Sequence, residues 1–308
     1  MRDILRVCGR IVKSFMFDLG AQFIIKFNHS DVGKMQQFKI TSWVQNICDS
    51  VGDYTLRMME YARNGLLFCG DVFASVGRAL RGRAIFRRID LWSELEKAGI
   101  RAVPIACLIS FMIGVIIAFV GVMQLEMFGA EIYVAALLAI ATTRILGAIM
   151  TGIIMSGRTG AAYAAEIGSM QVNQEIDALR TMGVRPMDFL VLPRVLALTI
   201  TMPILTIIAD IVGILGGACI AMTLMNVSMT EYWKMTFEWI TFNNFAIGVL
   251  HGWVYGWVIA ICGCYCGLNT QRSADGIGRA TTRAVVYSIV WCIVVTAILT
   301  LIFNWLDI

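Results

Sequence analysis

Four charged side chains interrupt long apolar runs: Arg144, Arg158, Glu166 and Asp210. They are the first candidates for chemistry. A charge at mid-depth in a membrane helix costs about 2.5–3.5 kcal/mol on insertion scales, so such groups pair or face a wet cavity. For Arg144 two readings stand. It meets an anionic or zwitterionic headgroup or a partner across a dimer, or it pairs with Asp210 of the same chain. A relay through Arg144, Asp210 and Glu166 would serve an ion-coupled carrier or channel working without an ATPase. The cysteines of Cys262-Gly-Cys-Tyr-Cys266 invite a metal reading. Residues two apart do not face each other on a helix, so only Cys262 and Cys266 share a side. Zinc wants four converging nitrogen or sulfur ligands, and no metal is expected here. The chain has no G-x-S-x-G and no H-E-x-x-H, so an intramembrane enzyme is disfavoured. It also lacks G-x-x-x-x-G-K-[ST], so any nucleotide-driven work must draw on another chain.

Composition sets the frame for these groups. The 308 residues are 58 % hydrophobic and 15 % charged, where a soluble domain carries roughly 25 % charged residues. Residues 102–125 and 284–306 contain no Asp, Glu, Lys or Arg, and each run exceeds the roughly 20 residues that cross a bilayer core. Five spans are predicted, at about 102–124, 132–168, 194–224, 244–268 and 284–305, in an all-α membrane protein. Lys and Arg crowd residues 78–101, 171–194 and 271–283, whereas the opposite loops and the C-terminus offer Lys234 alone. The positive-inside rule then puts the N-terminus in the cytoplasm and the C-terminus outside. No internal repeat is evident, so any symmetry must come from a second copy.

The N-terminal part divides in two. Residues 1–50 form an extension of unassigned fold. Arg2, Arg6, Arg10 and Lys13 recur there at helical spacing opposite Ile4, Leu5, Cys8, Ile11, Val12 and Phe15. Two readings stand for that stretch, a basic helix on an anionic membrane surface and an ordinary soluble helix. It lacks the continuous apolar core of a secretory signal. Residues 51–100 alternate charged and apolar groups and are expected to lie as one or two helices along the cytoplasmic interface. Residues 101–308 form the five-helix domain.

The second span carries a periodic pattern. Ala148, Gly152, Ser156, Gly160, Ala164 and Gly168 stand four apart, with Gly157, Ala161, Ala165 and Ser169 as a parallel row. Small residues at this spacing let helix backbones approach closely in lipid. The seam either transmits movement or packs statically. Beyond it, Val172, Ile176, Leu179 and Gly183 fall on one face, with Glu175, Asp177 and Arg180 on the rest. The spacing predicts a short two-faced cytoplasmic helix at about 170–183, ended by Gly183 and Pro186. Its apolar face lies on the lipid surface or slots into a groove on a partner.

The run GRTGAAYAAEIGSMQVNQEIDALRTMGVRPMDFLVLPRVLAL, from Gly157, strongly resembles the signature of the MlaE/YrbE permease family of ABC transporters. GIGRATTRAVVYS, Gly276 to Ser288, resembles that family's cytoplasmic loop and last helix. The similarity spans residues 55–308. It implies an interfacial helix, five transmembrane helices and a cytoplasmic coupling helix, working as a homodimer in the bacterial inner membrane. The implied work is ATP-driven movement of phospholipid or a related lipid towards or from the outer envelope. An MCE-domain partner would sit outside and a separate ATP-binding subunit inside, carrying ATP and Mg; this chain is expected to bind no cofactor and no nucleic acid. By the resemblance, residues 170–183 are the coupling helix, and Glu166, Glu175 and Asp177 match the family's acidic positions. Under that reading Ile117, Phe119, Leu125 and Phe128 are apolar candidates for the mouth of a lipid cavity, with Arg144 deeper. The chain departs from the family at Arg144-Ile-Leu-Gly-Ala148, where many relatives carry Arg-Glu-Leu-Gly-Pro.

Overall fold

In lipid every backbone N–H and C=O must be satisfied within the chain, which leaves a helix as the economical way to cross. The computed structural model accordingly holds only helices and their connections among the described residues. Those are residues 55–56, 59–60, 63–79, 81–82, 87–224 and 228–306. The basic amphipathic pattern of residues 1–50 lies outside them. Residues 65–308 form one compact unit.

Helix α1 covers residues 65–79, and α2 is Arg88–Ala98. The five crossings are α3 (Val103–Glu126), α4 (the continuous helix Tyr133–Val172), α6 (Leu192–Leu224, reached through a π turn at Met187–Val191), α8 (Phe242–Leu268) and α9 (Ala274–Trp305). Two short helices, α5 (Glu175–Thr181) and α7 (Met229–Trp239), join α4 to α6 and α6 to α8. Five helices are long and apolar enough to span a membrane, as the hydropathy pattern predicts.

Small residues decide how closely these spans approach. On α3 the buried positions are Ala106, Ser110, Gly114, Ala118 and Val122, one every four residues. A Cβ on Gly114 would stand 2.0 Å from the carbonyl oxygen of Gly213 on α6. On α4 all six members of the row Ala148 to Gly168 are buried. They face α8, where a Cβ on Gly263 would stand 2.8 Å from the Gly160 carbonyl. In a regular α-helix each four-residue step overshoots a full turn by about 40°, so such a row would wind off its partner. A π turn at Ser156–Gly160 takes more residues per revolution and rewinds part of that drift. The parallel row does not share the seam, since Gly157 and Ser169 are exposed and Ala161 and Ala165 half-buried.

Three elements differ from the sequence expectation. Helix α9 begins ten residues before its charge-free run, because the Ser273 hydroxyl accepts the Gly276 N–H at 3.1 Å and caps it there. Helix α7 stands where only a loop is expected. Ser228 caps it and Glu231 sits three residues on, the signature of a capping box. The Tyr232 hydroxyl donates to the Ile214 carbonyl at 3.0 Å, seating α7 on α6, and burial pushes that phenol up to about 12. The helix expected at 170–183 is the third difference. It is shorter, because Gln174 turns left-handed at φ 60° and separates α5 from α4.

Apolar surface remains uncovered on the outer spans. Only 11 % of the most apolar window of α9 is buried, and 28 % for the α2–α3 stretch. Leu108, Met112, Ile116, Val120 and Met123 of α3 point outward, towards lipid or another chain.

Candidate functional site

The end of the bundle where α4 runs into α5 gathers most of the polar geometry. Helix α5 is held by its apolar side: Ile176 is fully buried and Leu179 packs half-buried on the same core. Val172 is the last residue of α4 rather than part of α5. The Asp177 carboxylate accepts from Arg272 at 2.6 Å and lies 3.6 Å from Arg180. That contact ties α5 to the turn between α8 and α9. The apolar face, expected from sequence on the lipid surface or in a partner's groove, is therefore spent inside the chain. Glu175, Ala178, Arg180, Thr181 and Met182 remain exposed, and Gly183 at φ 76° ends the segment.

Back along α4, Glu166 is a hub. It accepts from Arg194 of α6 at 2.9 Å and from Lys97 of α2 at 3.3 Å. Arg194 also donates to the Leu190 carbonyl and lies 5.6 Å from the centre of the Tyr163 ring. Arg158 donates to the Lys97 carbonyl at 3.0 Å, and Lys97 reaches Glu94 at 3.1 Å. Two of the charges singled out inside the second span thus fasten α2 and α6 to α4. Their partners Lys97 and Arg194 belonged, by sequence, only to a basic flank. Arg194 is 8 % exposed at its side chain and Glu166 40 %. Breaking a buried pair costs about 3–5 kcal/mol, and the half-open carboxylate lowers the expectation to about 2 kcal/mol. Glu166→Gln should therefore lower the thermal unfolding midpoint of the solubilised chain by several degrees. Lys97→Ala, removing a 43 % exposed ammonium, should cost clearly less. Equal losses would count against the hub.

Helix α1 is fixed beside α8 by Phe73 stacked on Trp257 at 5.2 Å and Phe68 edge-on to Tyr265 at 5.3 Å. Its Arg78 clamps Asp188, at the start of the third crossing, through two hydrogen bonds of 2.6 and 3.2 Å. The hydrogen bond to that carboxylate raises the Arg78 guanidinium above its ordinary value. Sequence reasoning passed over Asp188, although Arg185-Pro-Met-Asp188 places an acid in the first turn after a proline, a common helix start.

Within the membrane-spanning part, Arg144 lies in the π turn Thr142–Leu146 of α4 and donates to Asn244 of α8 at 3.1 Å. The ion pair with Asp210 does not form, since neither carboxylate oxygen of Asp210 has a hydrogen-bond partner. Asn244 was missed because an amide near a span end carries no signal until its neighbour is known. The four apolar mouth candidates divide. Ile117 and Leu125 pack half-buried on the cluster formed by α3, α4, α6 and α7, while Phe119 and Phe128 face outward. No group of His, Cys, Asp and Glu among the described residues is arranged to hold a metal. Cys262, Cys264 and Cys266 are free thiols.

Comparison with known proteins places this architecture. The family model for the permease MlaE matches residues 91–302. A probable ABC transporter permease protein of Rickettsia typhi is 32 % identical over 235 residues, covering 76 % of this chain and 89 % of its own. The intermembrane phospholipid transport system permease protein MlaE of Haemophilus influenzae is 30 % identical over 174 residues, 54 % of this chain and 67 % of its own. The chloroplastic protein TRIGALACTOSYLDIACYLGLYCEROL 1 of Arabidopsis thaliana is 32 % identical over 152 residues, 49 % of this chain and 43 % of its own. With five apolar crossings, a short helix exposed between the second and third, and a match over most of its length, this multi-pass membrane protein belongs to the MlaE permease family of ABC transporters.

Proposed function

We propose that the chain is the non-catalytic permease subunit of an ABC transporter that moves phospholipid between the inner membrane and the outer envelope. Two copies work as a pair, and a separate subunit binds Mg-ATP and grips each α5. An MCE-domain protein receives or delivers lipid on the far side, and the N-terminus lies in the cytoplasm. The relatives' descriptions support the permease role and, for the Haemophilus influenzae protein, phospholipid as cargo.

The observation that carries the proposal is the mounting of α5. Its inner face is anchored by Ile176, its flank is latched by Asp177 to Arg272, and its outer face is open. A push on that outer face cannot be absorbed by the linker alone. It reaches α4 through Val172 and α8–α9 through Arg272. From there the close contact of α4 with α8 offers little slack, since packed interiors shift between discrete arrangements rather than deform smoothly. Arg144, held by Asn244 in the first turn of α8, is placed to meet a phosphate when the two copies part; a planar guanidinium suits that ligand. Phe119 and Phe128 provide outward apolar surface near the far end of α3 for acyl chains.

Reconstitution tests this reading. Liposomes holding the chain with its ATPase and outer partner should move labelled phospholipid only when ATP is supplied. The purified chain alone should move neither lipid nor ions. ATP-independent ion flux through the purified chain would favour the carrier reading instead.

A further inference from the structure

Asp210 sits on α6 in the wedge where α3, α4 and α6 meet. It is 2 % exposed, and both carboxylate oxygens lack a partner. It lies so close to Gly147 of α4 that a Cβ there would stand 1.7 Å from Oδ1. Three hydroxyls of the surrounding layer are already spent, while that of Thr151, one turn along α4 from Gly147, has no partner. Thr142 donates to the Leu138 carbonyl, Thr143 to Ala139 and Thr206 to Met202, each at 2.7–2.9 Å. Ser110 of α3, also buried and without a partner, is at the same junction: a Cβ on Gly213, one turn from Asp210, would lie 3.6 Å from the Ser110 carbonyl.

The ionisable groups on the packed elements do not compensate the carboxylate. Between residues 103 and 125, α3 has no Asp, Glu, Lys, Arg or His, and its one thiol is Cys107. On α4, Arg144 is engaged with Asn244. On α8, His251 directs Nδ1 to the Ile247 carbonyl at 2.8 Å, and α7 contributes the Tyr232 hydroxyl, committed to Ile214. An ionised carboxylate with no bonded donor and no counter-charge is not sustained in such surroundings; the group takes up a proton instead. As a neutral acid it gains an O–H to donate and no longer resists close packing.

We propose that Asp210 is a proton-binding site in the membrane core. The bound proton permits α4 and α6 to close on one another at Gly147, and opening of that contact releases it. Closure of the bundle is therefore linked to pH. The folded, closed chain binds one more proton at Asp210 than any state in which the carboxyl meets water, so acid favours closure and alkali opposes it.

The test uses the full chain in native membranes and a lipid-soluble carbodiimide, which reacts with carboxylic acids and not with carboxylates. Peptide mass spectrometry should find the adduct on Asp210 at neutral pH, declining as the buffer is made alkaline and unaffected by sodium at fixed pH. Protection by sodium would overturn the proposal in favour of a metal-cation site. A second arm compares Asp210→Asn, a neutral isostere. The variant should fold and lose the decline in thermal midpoint that the parent shows as pH rises. Failure of Asp210→Asn to fold while Asp210→Glu folds would show that a neutral isostere cannot replace the carboxyl group, and the proposal would fall. Both readouts are made on the chain itself, so neither depends on which lipid is carried or on an ATPase.

Discussion

Placing cations on the open side of α5, as Glu175→Lys with Ala178→Arg, is expected to detach the ATP-hydrolysing partner while the membrane bundle stays folded. Both positions are exposed, and neither contributes to the Ile176 anchor. Glu175 is bonded only weakly, through Asn173 at 3.3 Å. Reversal of a charge that faces a partner commonly costs several kcal/mol at an interface. At about 1.4 kcal/mol per decade, association should weaken at least tenfold. Pull-down of the ATPase and ATP-dependent lipid transfer should fall together, and the thermal midpoint of the isolated chain should not move. Asp177 is a poorer probe, because its loss also frees Arg272. If the doubly substituted chain keeps its ATPase at parental affinity, α5 is not the grip.

Leucine at Gly263 should do something different, breaking the protomer itself. A Cβ there meets the Gly160 carbonyl at 2.8 Å and the Tyr163 Cβ at 3.3 Å. Backbone cannot rotate away as a side chain can, so α4 and α8 must separate along several turns. Overpacking costs about 1–3 kcal/mol even where side chains yield, and the larger end of that range or more is expected here. Gly157 is the matched control. It belongs to the same motif on α4, yet nothing lies within 4 Å of a Cβ placed there. Gly157→Leu should leave the thermal midpoint and the gel-filtration profile of the protomer intact. Equal damage at the two sites would show that the seam is not directional.

That contrast also marks how far the sequence could be read. The five crossings were legible because membrane burial leaves a plain signal: long apolar runs of the right length, broken by few or no charges. The row Ala148 to Gly168 was legible because small residues at one spacing have few other uses in lipid. Gly157 to Ser169 shows where the pattern misleads. The two rows are alike as text, yet one is buried and the other begins and ends exposed, with a π turn at Ser156–Gly160 in the helix that carries both. Periodicity at 3.6 residues carries no notice of a π turn. The short helix was found, but its apolar face was expected on the lipid surface or in a partner's groove, and Ile176 fills the chain's own core instead. An amphipathic pattern reports that a face is buried, not against what.

Charge pairing was the least legible part. Glu166 was singled out for its place in a motif, and its partners Lys97 and Arg194 lie 69 and 28 residues away along the chain. Arg144 and Asp210 suggested each other as the nearest opposite charges inside spans, yet Asn244 holds the arginine and nothing holds the acid. Opposite charges in lipid must be satisfied somehow, and a hydrogen-bonding amide or a bound proton serves as well as a counter-ion.

The central claim is that paired copies of this chain are driven through α5 by a nucleotide-hydrolysing partner. Its most direct test is the intact mass of the particle extracted in native lipid, before and after the α5 substitutions. The account predicts two copies of the chain with two ATP-hydrolysing subunits, and loss of those subunits alone from the Glu175→Lys, Ala178→Arg particle. A particle holding one copy of the chain and no such subunit, and still moving lipid, would contradict it.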